Sequence, residues 1–303
     1  MSDRYFDAVV VGAIGIDTNV FLQGSDIDFE VEANFTENID YIGQAGGFSC
    51  RGFCSLGKST AFIGYVGDDF SGRYIREQLY ADGIDTSALF TDPKGTRRSC
   101  NFMYKDGRRK NFYDGKGNME LIPDKSACNK IFSNTKLAHF SIENWARHLL
   151  PEAKRLGVTI SCDLQDIVDE NDSYRKDFID YADVIFFSSV NFADPSIFMN
   201  KLLERNSSRI IISGMGAKGC ALGTKESIRY FAPVELDDAV VDTNGAGDGL
   251  AVGFLTSYFL DGYSLEDSIL RGQITARYTC TQRASTSNLI RMEQLNSLFK
   301  EFK

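Results

Sequence analysis

Short apolar runs alternate with amphipathic stretches along most of the chain. Residues 8–11 read AVVV, a largely β-branched run closed by Gly12. They predict a central parallel strand of the kind buried on both faces. Such a strand delivers Asp17 and Asn19 just beyond its carboxyl end, where open α/β sheets place ligands. From 20 to 42 the pattern is irregular and acidic, and Gly46 and Gly47 then open a predicted helix toward Leu56. A strand follows over 60–66, and GDDFSGRYIREQLYADGID supplies a turn and an amphipathic helix.

Between 96 and 113 the rhythm changes. SCNFMYKDGRRKNF holds two partly alternating segments around Asp106-Gly107, a hairpin signal. This hairpin predicts an accessory flap that pairs with strands from the irregular segment after Asp17. The αβ rhythm resumes with strands expected at 137–141, 159–163, 184–187 and 209–213, and helices at 146–156, 174–181 and 195–204. A hairpin-like stretch at 219–231 leads into DAVVDTNGAGDG, and three helical patterns complete the chain. The expected architecture is one α/β domain over 1–303: a central, mostly parallel sheet flanked by helices, with small β-lid elements within 17–44 and 96–115.

Composition narrows the partners. The chain has 303 residues, 43% hydrophobic and 25% charged, with only five prolines, which is ordinary for a globular protein without a long extended linker. A net charge of -9 disfavours nucleic acid or an anionic membrane as the main partner. Seven cysteines, an odd count without a secretory leader, are expected to be reduced in a cytoplasmic protein. Cys50 and Cys54 lack a second close pair, and His139 and His148 do not complete a zinc pattern. Both histidines are expected to be structural.

The stretch DTNGAGDG, from Asp242 to Gly249, carries the most chemistry. Small residues ahead of a helix let the backbone approach an anion and aim unpaired N–H groups at it. Asp248 then lies beside the anion, placed to accept a proton from an attacking hydroxyl, and Asp242 is placed to hold water, a metal ion or neighbouring backbone. A helix cap on a tight turn would read the same way. GFCSLGKS, Gly52 to Ser59, matches the letters of a phosphate-binding P-loop but falls inside a predicted helix rather than after a strand. Gly12 and Gly15 lack the third glycine of a dinucleotide fingerprint. Asp17, with Asn19 close behind and Gly46-Gly47 admitting a ligand to the backbone, suits sugar-type hydroxyls. The charge run Arg108, Arg109 and Lys110 is either a phosphate contact or a solvated turn.

Taken together, these motifs resemble the ribokinase-like carbohydrate and nucleoside kinases of the PfkB group over essentially the whole chain. DTNGAGD resembles the family's C-terminal signature, GAIGID (Gly12 to Asp17) its acceptor-binding element, and SGMGAKG (Ser213 to Gly219) its nucleotide loop. The resemblance implies ATP with Mg2+ as donor system, with a monovalent cation such as K+ left open, and the hydroxymethyl group of a sugar or nucleoside as acceptor. Asp248 would be the catalytic base, and Gly245, Ala246 and Gly247 the anion hole. Asp17, Asn19, Gly46, Gly47 and Arg51 would meet the acceptor. Ser188, Ser213, Gly214, Gly216, Gly219 and Thr243 would meet the nucleotide, and Asp242 and Asn191 would serve the metal environment. A lid-mediated homodimer and a monomer are both compatible with the family.

Three departures stand out. Arg51 follows the paired glycines where an asparagine is usual, Ser188 to Asn191 replaces an N-x-x-E motif, and Gln165 ends a D-x-N element that begins at Asp163. They keep a second function class open, a noncatalytic ligand-binding or regulatory protein on a kinase fold.

Overall fold

A computed structural model describes residues 6–105, 108–169 and 171–303. In chain order, its first part comprises strands β1 (Phe6–Val11), β2 (Gly15–Leu22) and β3 (Thr36–Gly43), helix α1 (Ala45–Ser55), β4 (Thr60–Val66), helix α2 (Phe70–Ala81), β5 (Asp85–Thr91), β6 (Arg97–Met103) and β7 (Arg109–Asp114). The middle comprises α3 (Lys125–Phe132), β8 (Thr135–Ser141), α4 (Leu150–Arg155), β9 (Thr159–Asp163), α5 (Lys176–Tyr181), β10 (Val184–Ser188), α6 (Pro195–Arg205) and β11 (Ile210–Gly214). The last part comprises β12 (Cys220–Gly223), β13 (Ile228–Phe231), α7 (Ala246–Leu255), α8 (Leu265–Thr279) and α9 (Met292–Phe302).

Nine strands form the main sheet in the order β13-β12-β11-β10-β9-β8-β1-β4-β5. All pairings from β11 to β5 are parallel, and β12 and β13 add an antiparallel edge. Alternation along β1 shows how the sheet is covered. Val9 and Val11 pack with the apolar residues of α3 to α6, whereas Ala8 and Val10 pack with those of α1, α2 and α7 to α9. Helices on both faces leave no polar side to the central strands, which is why β4 is buried at every position. Helix α7 lies especially close to α8: a Cβ on Gly253 would come within 2.9 Å of the Gly272 Cα.

A separate four-stranded sheet, ordered β3-β2-β6-β7, forms the lid. Here the structure corrects the expectation for Asp17 and Asn19, which stand within lid strand β2 rather than in a turn after β1. The acidic segment that follows is better ordered than its pattern suggests, since β2 and β3 pair in register from Gly15↔Gly43 to Leu22↔Thr36. Its periodicity is blurred because buried apolar residues, Ile16, Val20, Leu22 and Ile42, are interspersed with Asp17, which faces the cavity, and Asn19, which is bonded within the protein. The expected flap is present as β6 and β7, while its Asp106-Gly107 turn lies outside the described residues. Strand β5 and helix α3 had no counterpart in the sequence pattern. The helix expected over 146–156 is a 3-10 turn, Ala146–Leu149, that runs into α4 with Pro151 in its first turn.

Candidate functional site

The carboxyl ends of β1, β8 and β9, together with the lid, enclose a cavity of about 430 Å³. Its wall includes Ala13, Ile142, Glu143, Gln165, Asn244 and, from the lid, Asp17, Ser99, Asn101, Arg109, Asn111 and Tyr113. A mostly polar lining suits a ligand rich in hydroxyl groups. The lid contributes alternate residues, Ser99 and Asn101 from β6 and Arg109, Asn111 and Tyr113 from β7, because successive side chains of a strand point to opposite faces. A larger-mouthed groove between the end of β13 and α8 is separate from this chemistry and is lined by Phe231, Pro233, Leu270 and Phe302 among others.

Asp17 projects into the cavity and accepts from the Gln44 side chain and, at 3.4 Å, from the Gln44 backbone N–H. Burial pushes its carboxyl up to about 6, against the opposing pull of these hydrogen bonds and of Arg109. Gly43 keeps this carboxyl in place, since a Cβ there would overlap it at 2.1 Å. Asp163, at the end of β9, accepts from the Gln165 N–H at 2.8 Å and is likewise raised to about 6 by burial.

The residues expected to hold an anion stand at the start of α7. Gly245 caps this helix at φ +78°, a left-handed conformation, and a Cβ there would strike the Phe48 ring at 2.2 Å. No side chain caps the helix; the Ala246 N–H donates to the Thr243 carbonyl at 3.3 Å, and the Gly247 N–H behind it has no helical acceptor. Gly247 differs from Gly245: a Cβ there would meet nothing within 4 Å, so its missing side chain leaves open space in front of the helix end. Ala246 lies between them in the first turn, and the arrangement fits a phosphate group. Asp248 follows in the same turn, half-buried, with Ser49 of α1 donating to it at 3.4 Å. Burial drives its carboxyl well above the ordinary range, and Asp163 and Asp17 push in the same direction. A carboxyl so raised is a competent proton acceptor for a hydroxyl.

Asp242 is 2% exposed, and its oxygens are occupied within the protein. One accepts from the Asn244 N–H at 2.8 Å, the other from the Asn19 amide at 2.7 Å. Burial raises this carboxyl too. Asn191, exposed in a 3-10 turn, donates to the Asp166 carbonyl at 2.8 Å. The two residues expected at the metal therefore do not form a cage, and among the described residues no group of three or more His, Cys, Asp and Glu could hold a metal ion.

The remaining expected residues divide. Gly46 and Gly47 start α1 against the backbone after β1, and a Cβ on Gly46 would meet the Ala13 carbonyl at 2.5 Å. Ser188 and Gly214 end β10 and β11, Gly216 and Gly219 bound the next turn with positive φ, and Thr243 is exposed ahead of α7. Ser213 is fully buried. Arg51 is not on the cavity wall: it pairs with Asp82 at 2.6 Å and donates to the Thr286 carbonyl. Asn19 is fully buried and spends its amide on protein partners. Sequence reasoning missed Gln44, Ser99, Asn101, Asn111 and Tyr113; the alternating polar positions of the flap were the available signal. The P-loop-like Gly52 to Ser55 lie inside α1, as their context required, and His139 is buried beside Ser161 at 3.1 Å, a structural histidine.

A two-sheet α/β protein with a lid over a polar cavity and an uncapped, glycine-led helix at its edge is built to handle a small anion beside a hydroxylated ligand. The chain belongs to the pfkB family of carbohydrate kinases, whose family description matches residues 7–291. Its relatives include an acarbose 7(IV)-phosphotransferase from Actinoplanes sp., 29% identical over 292 residues, 95% of this chain and 96% of that protein. A nucleoside kinase from Methanocaldococcus jannaschii is 26% identical over 257 residues, 82% of each chain. Among solved structures, a microbiome-derived acarbose kinase superposes with TM-score 0.89 at 29% identity, covering 97% of this chain and 99% of the other. The Arabidopsis thaliana ribokinase complexed with ribose and ATP shares the fold, with TM-score 0.83, 18% identity and coverage of 97% and 99%. Family membership carries ATP-dependent phosphotransfer as the general activity.

Proposed function

We propose that the protein transfers the γ-phosphoryl group of ATP to a hydroxymethyl group of a carbohydrate. The observation that carries this is Asp248, a carboxyl raised well above its ordinary range in the first turn of the uncapped helix that Gly245 begins. Asp17 orients the acceptor through its hydroxyls, and Asp248 takes the acceptor proton as oxygen attacks phosphorus in line. The N–H groups of Gly245 to Gly247 meet the charge of the transferring group, where a fixed donor counts for more than water does. The lid excludes competing water. A magnesium ion carried on the nucleotide would supply charge screening at the phosphates, and nucleotide contacts would fall to Ser188, Thr243 and the turn from Gly214 to Gly219. A carbohydrate is favoured over a nucleoside because Asp17, Asn101, Asn111 and Glu143 present hydrogen-bonding groups, whereas a nucleobase needs an apolar slot. The similarity to an acarbose 7(IV)-phosphotransferase and an acarbose kinase supports testing acarbose and related carbohydrates first among acceptors.

The test is ADP release on a panel of mono- and oligosaccharides and nucleosides, with product mass measured directly. One acceptor should gain a phosphoryl group, and Asp248→Ala should abolish that gain without unfolding the protein. Asn191 in place of a carboxylate favours a second outcome, a noncatalytic binding protein, which tight acceptor binding with no phosphorylated product under any nucleotide or divalent cation would establish.

A further inference from the structure

Three asparagines stand side by side across the lid. Asn19 of β2 is the register partner of Asn101 of β6, which is the register partner of Asn111 of β7. Asn111 donates to Asn101 at 2.7 Å, Asn101 to Asn19 at 3.0 Å, and Asn19 to the Asp242 carboxylate at 2.7 Å. Every link runs the same way: Asn19 turns its NH2 toward Asp242 and its carbonyl toward Asn101, and Asn101 turns its carbonyl toward Asn111. Asn19 also donates to the Arg283 carbonyl at 3.2 Å and accepts from the Tyr41 hydroxyl at 3.4 Å, which leaves it no capacity for a ligand. At the far end, Asn101 and Asn111 do line the cavity.

Asp242 in turn holds the loop ahead of α7. Its other oxygen accepts from the Asn244 N–H at 2.8 Å, one residue before the glycine that starts the anion site. We propose that this row is a relay through which the seating of the lid sets the shape of the anion-binding loop, with Asn19 as its positioning residue. A lid that is out of place withdraws the donor from Asp242, and the Asn244 N–H loses a fixed acceptor. A lid that is seated aligns three amides and a carboxylate in one direction, which polarises each hydrogen bond in the chain. Asn19 therefore acts on the reaction through Asp242 and touches no substrate. The consequence for turnover rests on the kinase reading; the mechanical coupling does not.

Amide hydrogen exchange on the full-length protein at pH 8 reads the relay without any turnover. Asn101→Leu, which removes a link that does not touch Asp242, should speed exchange at Asn244 and Ala246 at least fivefold. Lys110→Ala, on the opposite face of β7, should leave it unchanged. Asn19→Asp, which sets a second carboxylate against Asp242, should loosen the loop further. Unchanged exchange at Asn244 in Asn101→Leu or in Asn19→Asp, with the lid folded, overturns the relay. Loss of the kinase reading shows separately, as a relay that behaves as described in a protein that makes no phosphorylated product.

Discussion

Two glycines two positions apart, Gly245 and Gly247, behave differently. Gly245 is required by its left-handed φ and by the Phe48 ring, so Gly245→Ala should destabilise the fold by about 2 kcal/mol or more, read as a lower denaturant midpoint. Gly247→Ala meets no neighbour and should leave stability within about 0.5 kcal/mol of the parent while cutting phosphoryl transfer at least tenfold, because the methyl enters the anion's space. Equal stability losses in both variants would remove the anion role of Gly247. Asp248→Asn should lower acceptor-dependent ADP formation by about 10²–10⁴-fold, the usual range for a general base. The raised carboxyl also sets a pH dependence: kcat/KM should fall on acidification through a pKa above the ordinary carboxylate value of 3.8. A rate that stays flat down to that value would assign the base elsewhere.

At the scale of elements, a few buried side chains fasten one element to another. Arg271 of α8 is fully buried, donating to Ser257 at 2.8 Å and to Asn296 of α9 at 2.9 Å, with its guanidinium 4.4 Å from the Tyr263 ring centre. Truncating it removes both bonds and leaves a cavity, and Arg271→Ala should cost about 3 kcal/mol in urea unfolding. The lid is tied differently, at its surface. Arg283 grips Glu37 of β3 with both terminal nitrogens, at 3.0 and 2.8 Å, over the Phe21 ring. Both partners are half-exposed, so Arg283→Ala should change global stability by less than about 1 kcal/mol and should show itself instead as faster exchange in β3.

For the whole molecule, three buried groups give opposing responses to acid. Asp17 and Asp163 keep their protons to about pH 6 in the fold, whereas the unfolded chain releases them near 3.8. Each supports stability below 3.8, and that support is lost as pH rises to about 6. His139 works the other way, because burial lowers it to about 4 from 6.5; its contribution is complete above 6.5 and is lost as pH falls to about 4. Asp17→Asn should therefore raise the melting temperature by a few degrees at pH 8 and by nothing at pH 3.5, which calorimetry can check. The reverse order would place the Asp17 carboxyl below its ordinary range. Among the described residues, no helix is long and apolar enough to cross a membrane.

The sequence by itself determined the layered α/β architecture, since an AVVV strand or an amphipathic helix carries its burial pattern in its own periodicity. It also located the glycine-led helix start proposed as the anion site, because Gly245 to Asp248 are contiguous and their geometry is local. The P-loop-like letters at Gly52 were rejected on the same local grounds. The lid was legible only in part: its flap alternates, but β2 and β3 mix buried apolar residues such as Ile16, Val20 and Ile42 with Asp17 on the cavity and Asn19 sealed inside, which hides the alternation. Tertiary structure alone decided which polar residues face the cavity. Asn19 and Arg51 look like Asp17 in the sequence, yet one is sealed against Asp242 and the other is drawn to Asp82, while Asp17 faces the cavity. Those fates turn on partners 223 and 31 residues away, and no local pattern encodes a hydrogen bond across that distance.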